Sequence, residues 1–101
     1  MKAIVITEPG GPEVLQLREV KEPEPAADQL LVSVKATALN RADLLQRLGS
    51  YPPPPGVPVD IPGLEFSGVV EAVGREARTF KQGDRVMGLL AGGGYAEKVV
   101  T

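Results

Sequence analysis

A chain of 101 residues, 43% of them hydrophobic and 24% charged, has room for one folded unit with one core. Eleven lysines and arginines against thirteen aspartates and glutamates leave a net charge of −2 with no basic stripe, which argues against a nucleic-acid partner. With no cysteine and no histidine, the chain can build no disulfide, thiol nucleophile, imidazole base or Cys/His zinc site.

The amino terminus enters a β-rich run over residues 2–8 with no signal-peptide pattern. No apolar stretch approaches the roughly 20 residues of a membrane helix, so the expectation is a cytoplasmic protein without membrane contact. Glu8-Pro9-Gly10-Gly11-Pro12 punctuates, and residues 14–20 alternate Leu15 and Leu17 against Gln16 and Arg18, predicting a two-stranded antiparallel unit. After the polar 22–28 stretch, residues 29–39 put Val32, Val34, Ala36 and Ala38 on one face and Ser33, Lys35 and Thr37 on the other, a long strand with one solvated side.

Asn40 stands where a helix cap belongs. Asp43 falls in the first turn, and Leu44, Leu45 and Leu48 follow at helical spacing before Gly49, which predicts one short helix over residues 41–48. From Tyr51 to Pro62 six of twelve residues are proline, so this loop is extended and stiff. Residues 64–73 form a further strand ended by Gly74. Lys81-Gln82-Gly83-Asp84 is a turn, and short strands at 85–90 and 95–101 flank Gly92-Gly93-Gly94. Many short strands, one brief helix and frequent glycine and proline suggest a mainly β fold, a distorted and partly open barrel. The chain stops inside a β-like segment, so a fragment is expected.

The segments Ala38-Leu39-Asn40-Arg41-Ala42-Asp43-Leu44 and Pro62-Gly63-Leu64-Glu65-Phe66-Ser67-Gly68, together with Pro9-Gly10-Gly11-Pro12-Glu13 and Tyr51 ahead of Pro53-Pro54-Pro55-Gly56, resemble the medium-chain dehydrogenase/reductases. The likeness runs over nearly the whole chain and is to the quinone oxidoreductase branch, especially the p53-inducible type. It implies a GroES-like barrel over residues 1–101 serving as the substrate-side domain, with the nucleotide-binding Rossmann domain outside this chain. It also implies NADPH as cofactor, a small-molecule quinone as substrate, and a homodimer formed through that other domain. In zinc-dependent relatives the position of Asn40 carries a cysteine ligand and that of Leu64 a histidine, so the resemblance implies a metal-free site.

Quinone reduction needs a hydride donor, a pocket for the acceptor ring and protons for two oxygens. No side chain here supplies a hydride, and the chain lacks the Gly-x-Gly-x-x-Gly turn that holds a dinucleotide. Gly92-Gly93-Gly94 is followed by no helical pattern and reads as a turn. Asn40 is a candidate for the nicotinamide end of the cofactor, or simply a cap. Asp43 is either a polar wall of the cleft or a helix-dipole partner. Tyr51 is the candidate catalytic and substrate-binding group, a phenol on a stiff loop able to stack on a quinone or donate to a developing oxyanion, with a packed loop anchor as the alternative. Arg41 is a weaker candidate for an acidic group, and Leu64 would make the pocket apolar. Glu65 is left between a remnant of the zinc pattern and an internal ion pair. A zinc-free enone or enoyl reductase would use the same features. A co-chaperonin-like binding module would need a long mobile glycine-rich loop, and none is visible.

Overall fold

All 101 residues are described by the computed structural model, whose elements follow in chain order. Strands β1 (Lys2–Ile6) and β2 (Leu15–Glu19) are joined through a 3-10 turn at Pro12–Val14, and β3 (Leu30–Thr37) leads into helix α1 (Arg41–Arg47). The proline-rich loop then leads to β4 (Glu65–Val73), β5 (Arg85–Leu89) and β6 (Lys98–Val100). β1 and β2 pair antiparallel with Ile4 opposite Leu17. The other four strands form an all-antiparallel sheet in the order β5-β4-β3-β6.

The two sheets are not closed on each other, but backbone contacts tie them together. Ala3 bridges Ala96, the Ile4 amide donates to the Tyr95 carbonyl at 2.8 Å, and the Ile6 amide donates to that of Asp60 at 2.7 Å. The outcome is the partly open barrel expected from the sequence. No helix is long and apolar enough to cross a membrane.

Burial concentrates on one side of the four-stranded sheet, where Leu30, Val32, Phe66, Val70 and Val99 form the core cluster. β-Branched side chains at Val32, Val70 and Val99 suit a pleated surface packed from one side. Only 17 residues are buried in all, so this cluster carries most of the hydrophobic stabilisation. Gly68 lets β3 and β4 approach there, since a Cβ on it would lie 2.2 Å from the Ser33 carbonyl oxygen.

Strand β3 departs from its predicted alternation. Register shifts between Leu31 and Val32 and between Val34 and Ala36 break the period of two, so Ala36 is exposed rather than continuing the buried face of Val32. The strand also stops at Thr37, leaving Ala38 and Leu39 as a linker to the helix. The segment expected as a strand over residues 95–101 pairs regularly only at Lys98–Val100, because Tyr95 and Ala96 are drawn towards β1 instead.

Candidate active site

Helix α1 is one residue shorter than predicted and starts where expected. The Asn40 amide donates to Asp43 Oδ2 at 2.8 Å, the returning arm of a capping box, and the carboxylate sits favourably at the positive end of the helix. Gly49, at φ +86, then takes the chain out of the helix. Two further contacts seat α1. The Gln46 side-chain amide donates to the Val59 carbonyl at 3.2 Å, anchoring the proline loop, and Arg47 Nε donates to the Gly10 carbonyl at 3.0 Å.

The Asn40 carboxamide donates through Nδ2 to Glu65 Oε2 at 2.9 Å. Glu65 opens β4, and its carbonyl accepts from Thr37 Oγ1 at 2.7 Å, so the end of β3 and the start of β4 are fastened where the helix begins. Glu65 is therefore the carboxamide's acceptor, an option that the sequence reading did not consider.

Asp43 is buried, at 6% exposure. Besides the Asn40 amide, its Oδ2 accepts from the Tyr95 hydroxyl at 2.6 Å, across 52 residues of chain. Its Oδ1 is buried and has no partner in the chain. Burial first, then the hydrogen bond to Asp43 and its negative charge, push the Tyr95 phenol well above the usual tyrosine range, so it stays protonated and a donor.

These side chains line a cavity of about 400 Å³ over the start of α1. Asn40, Arg41, Asp43, Arg47 and Tyr95 supply its polar atoms, and Leu15, Leu39, Leu44 and Pro62 its apolar wall. That volume and mixed lining lie in the range of small-molecule sites. No three His, Cys, Asp or Glu side chains converge to hold a metal ion.

Of the candidates named from sequence, the structure brings Asn40, Arg41 and Asp43 to one cavity. Tyr51 is half-buried on the proline loop and Leu64 half-buried at the edge of β4; neither lines it. Tyr95 and Arg47 were missed. The signal that could have singled out Tyr95 is its position directly after three glycines, where only a close backbone approach explains such a run. That approach is real. Gly93 donates to the Ile61 carbonyl at 2.8 Å and Gly94 to that of Gly63 at 3.0 Å, so these amides serve the loop ahead of β4, and the run is a bend held by that loop rather than the turn expected.

The alcohol dehydrogenase GroES-like domain family matches residues 26–101. A quinone oxidoreductase from Lama guanicoe is 44% identical over 99 residues, which are 96% of this chain and 30% of that protein. The crystal structure of the human synaptic vesicle membrane protein VAT-1 homolog-like protein superposes with a TM-score of 0.89 at 39% identity, covering all of this chain and 32% of the other. A mycobacterial protein solved in complex with NADPH superposes at 0.83 with 37% identity, over 100% and 30% of the two chains. The chain thus spans about a third or less of the length of the relatives it matches. By the extent of the family match, the chain belongs to the alcohol dehydrogenase GroES-like domain family.

Proposed function

We propose that this chain is the substrate-side domain of an NADPH-dependent quinone oxidoreductase that works without zinc, completed by a nucleotide-binding domain outside this chain through which the whole protein dimerises. Asn40 carries the reading. It stands at a position that in zinc relatives holds a metal ligand, yet here its carboxamide nitrogen is spent on Glu65 beside a cavity with an aliphatic wall. Leu64, at the other ligand position, offers no lone pair. The relatives named quinone oxidoreductase, and the one solved with NADPH, support the substrate and cofactor.

The residues present suit one end of the cofactor. Asp43 Oδ1 is a buried acceptor without a partner, which matches an amide or hydroxyl donor, and Arg41 lines the same cavity with a free cation's chemistry for an acidic group. A cavity of about 400 Å³ accommodates a nicotinamide or a quinone ring rather than a dinucleotide, consistent with most of the cofactor lying on another domain. When bound, NADPH supplies the hydride that no side chain here can give. Asn40 orients the nicotinamide end, the leucine wall excludes water, and Arg41 balances negative charge on the bound molecules. Tyr51, on its stiff loop outside this cavity, meets the quinone from the open side and donates to the oxygen on which charge develops.

The test is NADPH oxidation by the full-length protein with 1,2-naphthoquinone, beside its Tyr51→Phe variant and this 101-residue chain alone. Turnover in the full-length protein, at least about tenfold lower kcat in the variant and none in the isolated chain is the expected result. Full activity in the variant removes Tyr51 from the chemistry. No quinone turnover by a folded protein that reduces enones instead moves the assignment to that class of acceptor.

A further inference from the structure

The proposed reaction gives Tyr95 no task, yet the fold goes to some length to place it. Its amide donates to the Pro62 carbonyl at 2.9 Å and its carbonyl accepts from Ile4 at 2.8 Å, so the backbone is clamped between β1 and the loop ahead of β4. Gly63, at φ +114, packs against the preceding peptide so closely that a Cβ on it would lie 2.6 Å from Gly94 Cα and 2.7 Å from the Tyr95 nitrogen. A phenol on so fixed a backbone has little freedom to leave Asp43. Asp43 in turn holds the Asn40 amide with the same oxygen that accepts from Tyr95.

We infer that Tyr95 is a positioning residue for the cofactor: through Asp43 it fixes the Asn40 backbone, and with it the carboxamide aimed between Glu65 and the cavity. Three hydrogen bonds in series, Tyr95 to Asp43, Asn40 to Asp43 and Asn40 to Glu65, make one polar strut from the loop before β6, across the start of α1, to the first residue of β4. Without the phenol, Asp43 is a buried carboxylate with a single donor. It then gains by turning towards solvent or Arg41, and the Asn40 amide loses its acceptor. Because the phenol stays protonated, its part is to hold Asp43 and not to release a proton. The inference rests on the reading of this cavity as the nicotinamide side.

Amide hydrogen exchange and NADPH affinity, the latter from NADPH fluorescence, are measured on the full-length protein and its Tyr95→Phe, Asn40→Ala and doubly substituted forms. In Tyr95→Phe the Asn40 amide is expected to exchange about tenfold faster while Val32 and Val70, in the core strands, are unchanged, and the Kd for NADPH to rise about tenfold. On top of Asn40→Ala, removal of the hydroxyl is expected to change Kd less than about twofold, since both substitutions break one strut. Unchanged exchange at Asn40, or fully additive effects on Kd, overturns the role of Tyr95 whatever the protein reduces. Faster exchange at Asn40 in a protein whose wild type binds no NADPH overturns the nicotinamide reading instead, and with it the purpose assigned to the strut while its hold on Asn40 stands.

Discussion

The sheet core and the start of α1 are built on opposite terms. Around Val32 and Val70 there is no polar side chain to satisfy, and neighbouring strands supply methyl groups that pack wherever volume allows. Around Asp43 the few contacts are directional, and two buried acceptors, Asp43 Oδ1 and Gln46 Oε1, are left without a protein partner. The first region stabilises the fold. The second tolerates unmet polar atoms, a pattern expected where a bound molecule completes the set. The comparison teaches where to look for activity: in the part of the chain that is least well satisfied by itself.

The largest effect that would sharpen this contrast is Phe66→Ala. Phe66 is 5% exposed within the core cluster, and its loss is expected to cost about 3–5 kcal/mol in urea unfolding, a large share of what a domain this size has. A loss below about 1 kcal/mol would mean that the sheet is not the mainstay.

Asp43→Ala acts on the other region, at an expected cost of about 1–3 kcal/mol because the Tyr95 hydroxyl and the Asn40 amide lose their acceptor. The same change should be visible as ionisation. Asp43 accepts from the phenol, Arg41 and Arg47 line the cavity on one side of Tyr95, and Lys2, Lys35 and Glu97 line the cavity on its other side. Deleting the carboxylate removes two of the three causes that hold the Tyr95 proton, leaving burial, so tyrosinate absorbance should develop at lower pH in the folded chain. The sign for stability follows. The folded chain binds this proton more tightly than the unfolded one, so stability is intact below the ordinary phenol value near 10 and falls as the unfolded chain ionises in alkali. Tyr95→Phe should flatten that fall. An identical alkaline unfolding curve would argue that the phenol is not held as described.

The smallest effect belongs to neither region. Lys98 spans Glu22 at 2.5 Å and Glu71 at 2.9 Å, and these hydrogen bonds, Glu22 first, raise its pKa. Stability from this pairing is fully present below the ordinary lysine value and is lost as pH rises through the raised one. Lys98→Met is expected to lower Tm slightly at neutral pH and not at all in strong alkali or high salt. A loss at neutral pH matching that of Asp43→Ala would erase the distinction between surface and site.

Local pattern made most elements readable. Period-two alternation marked β2, β-rich composition bounded by glycine and proline marked β1 and β4, and a cap, an acidic first turn and a terminal glycine marked α1 to within a residue. What could not be read came from contacts between distant residues. The bulges in β3 answer to β4 and not to its own sequence, so Ala36 looked like a core residue and is exposed. The glycine run before Tyr95 hints at its clamped backbone, but nothing local names Asp43 as its partner across 52 residues. Asn40, Arg41 and Asp43 were found because a helix start gathers them locally. Tyr51 and Leu64 were named from the positions they match in the family, and on the proline loop and at the edge of β4 neither lines the cavity over the start of α1.

The placement of Tyr95 also bears on the order in which the molecule is assembled. β3 can pair with β4 as soon as the proline loop has closed, but β6, with Tyr95 just before it, lies farther along the sequence from β3, so its pairing is the later and entropically costlier closure. A nascent chain released short of that tyrosine would hold three neighbouring strands and α1, with Asp43 still lacking its second donor. The Tyr95–Asp43 contact therefore forms with the longer-range pairing of β6, after β3 and β4 have met.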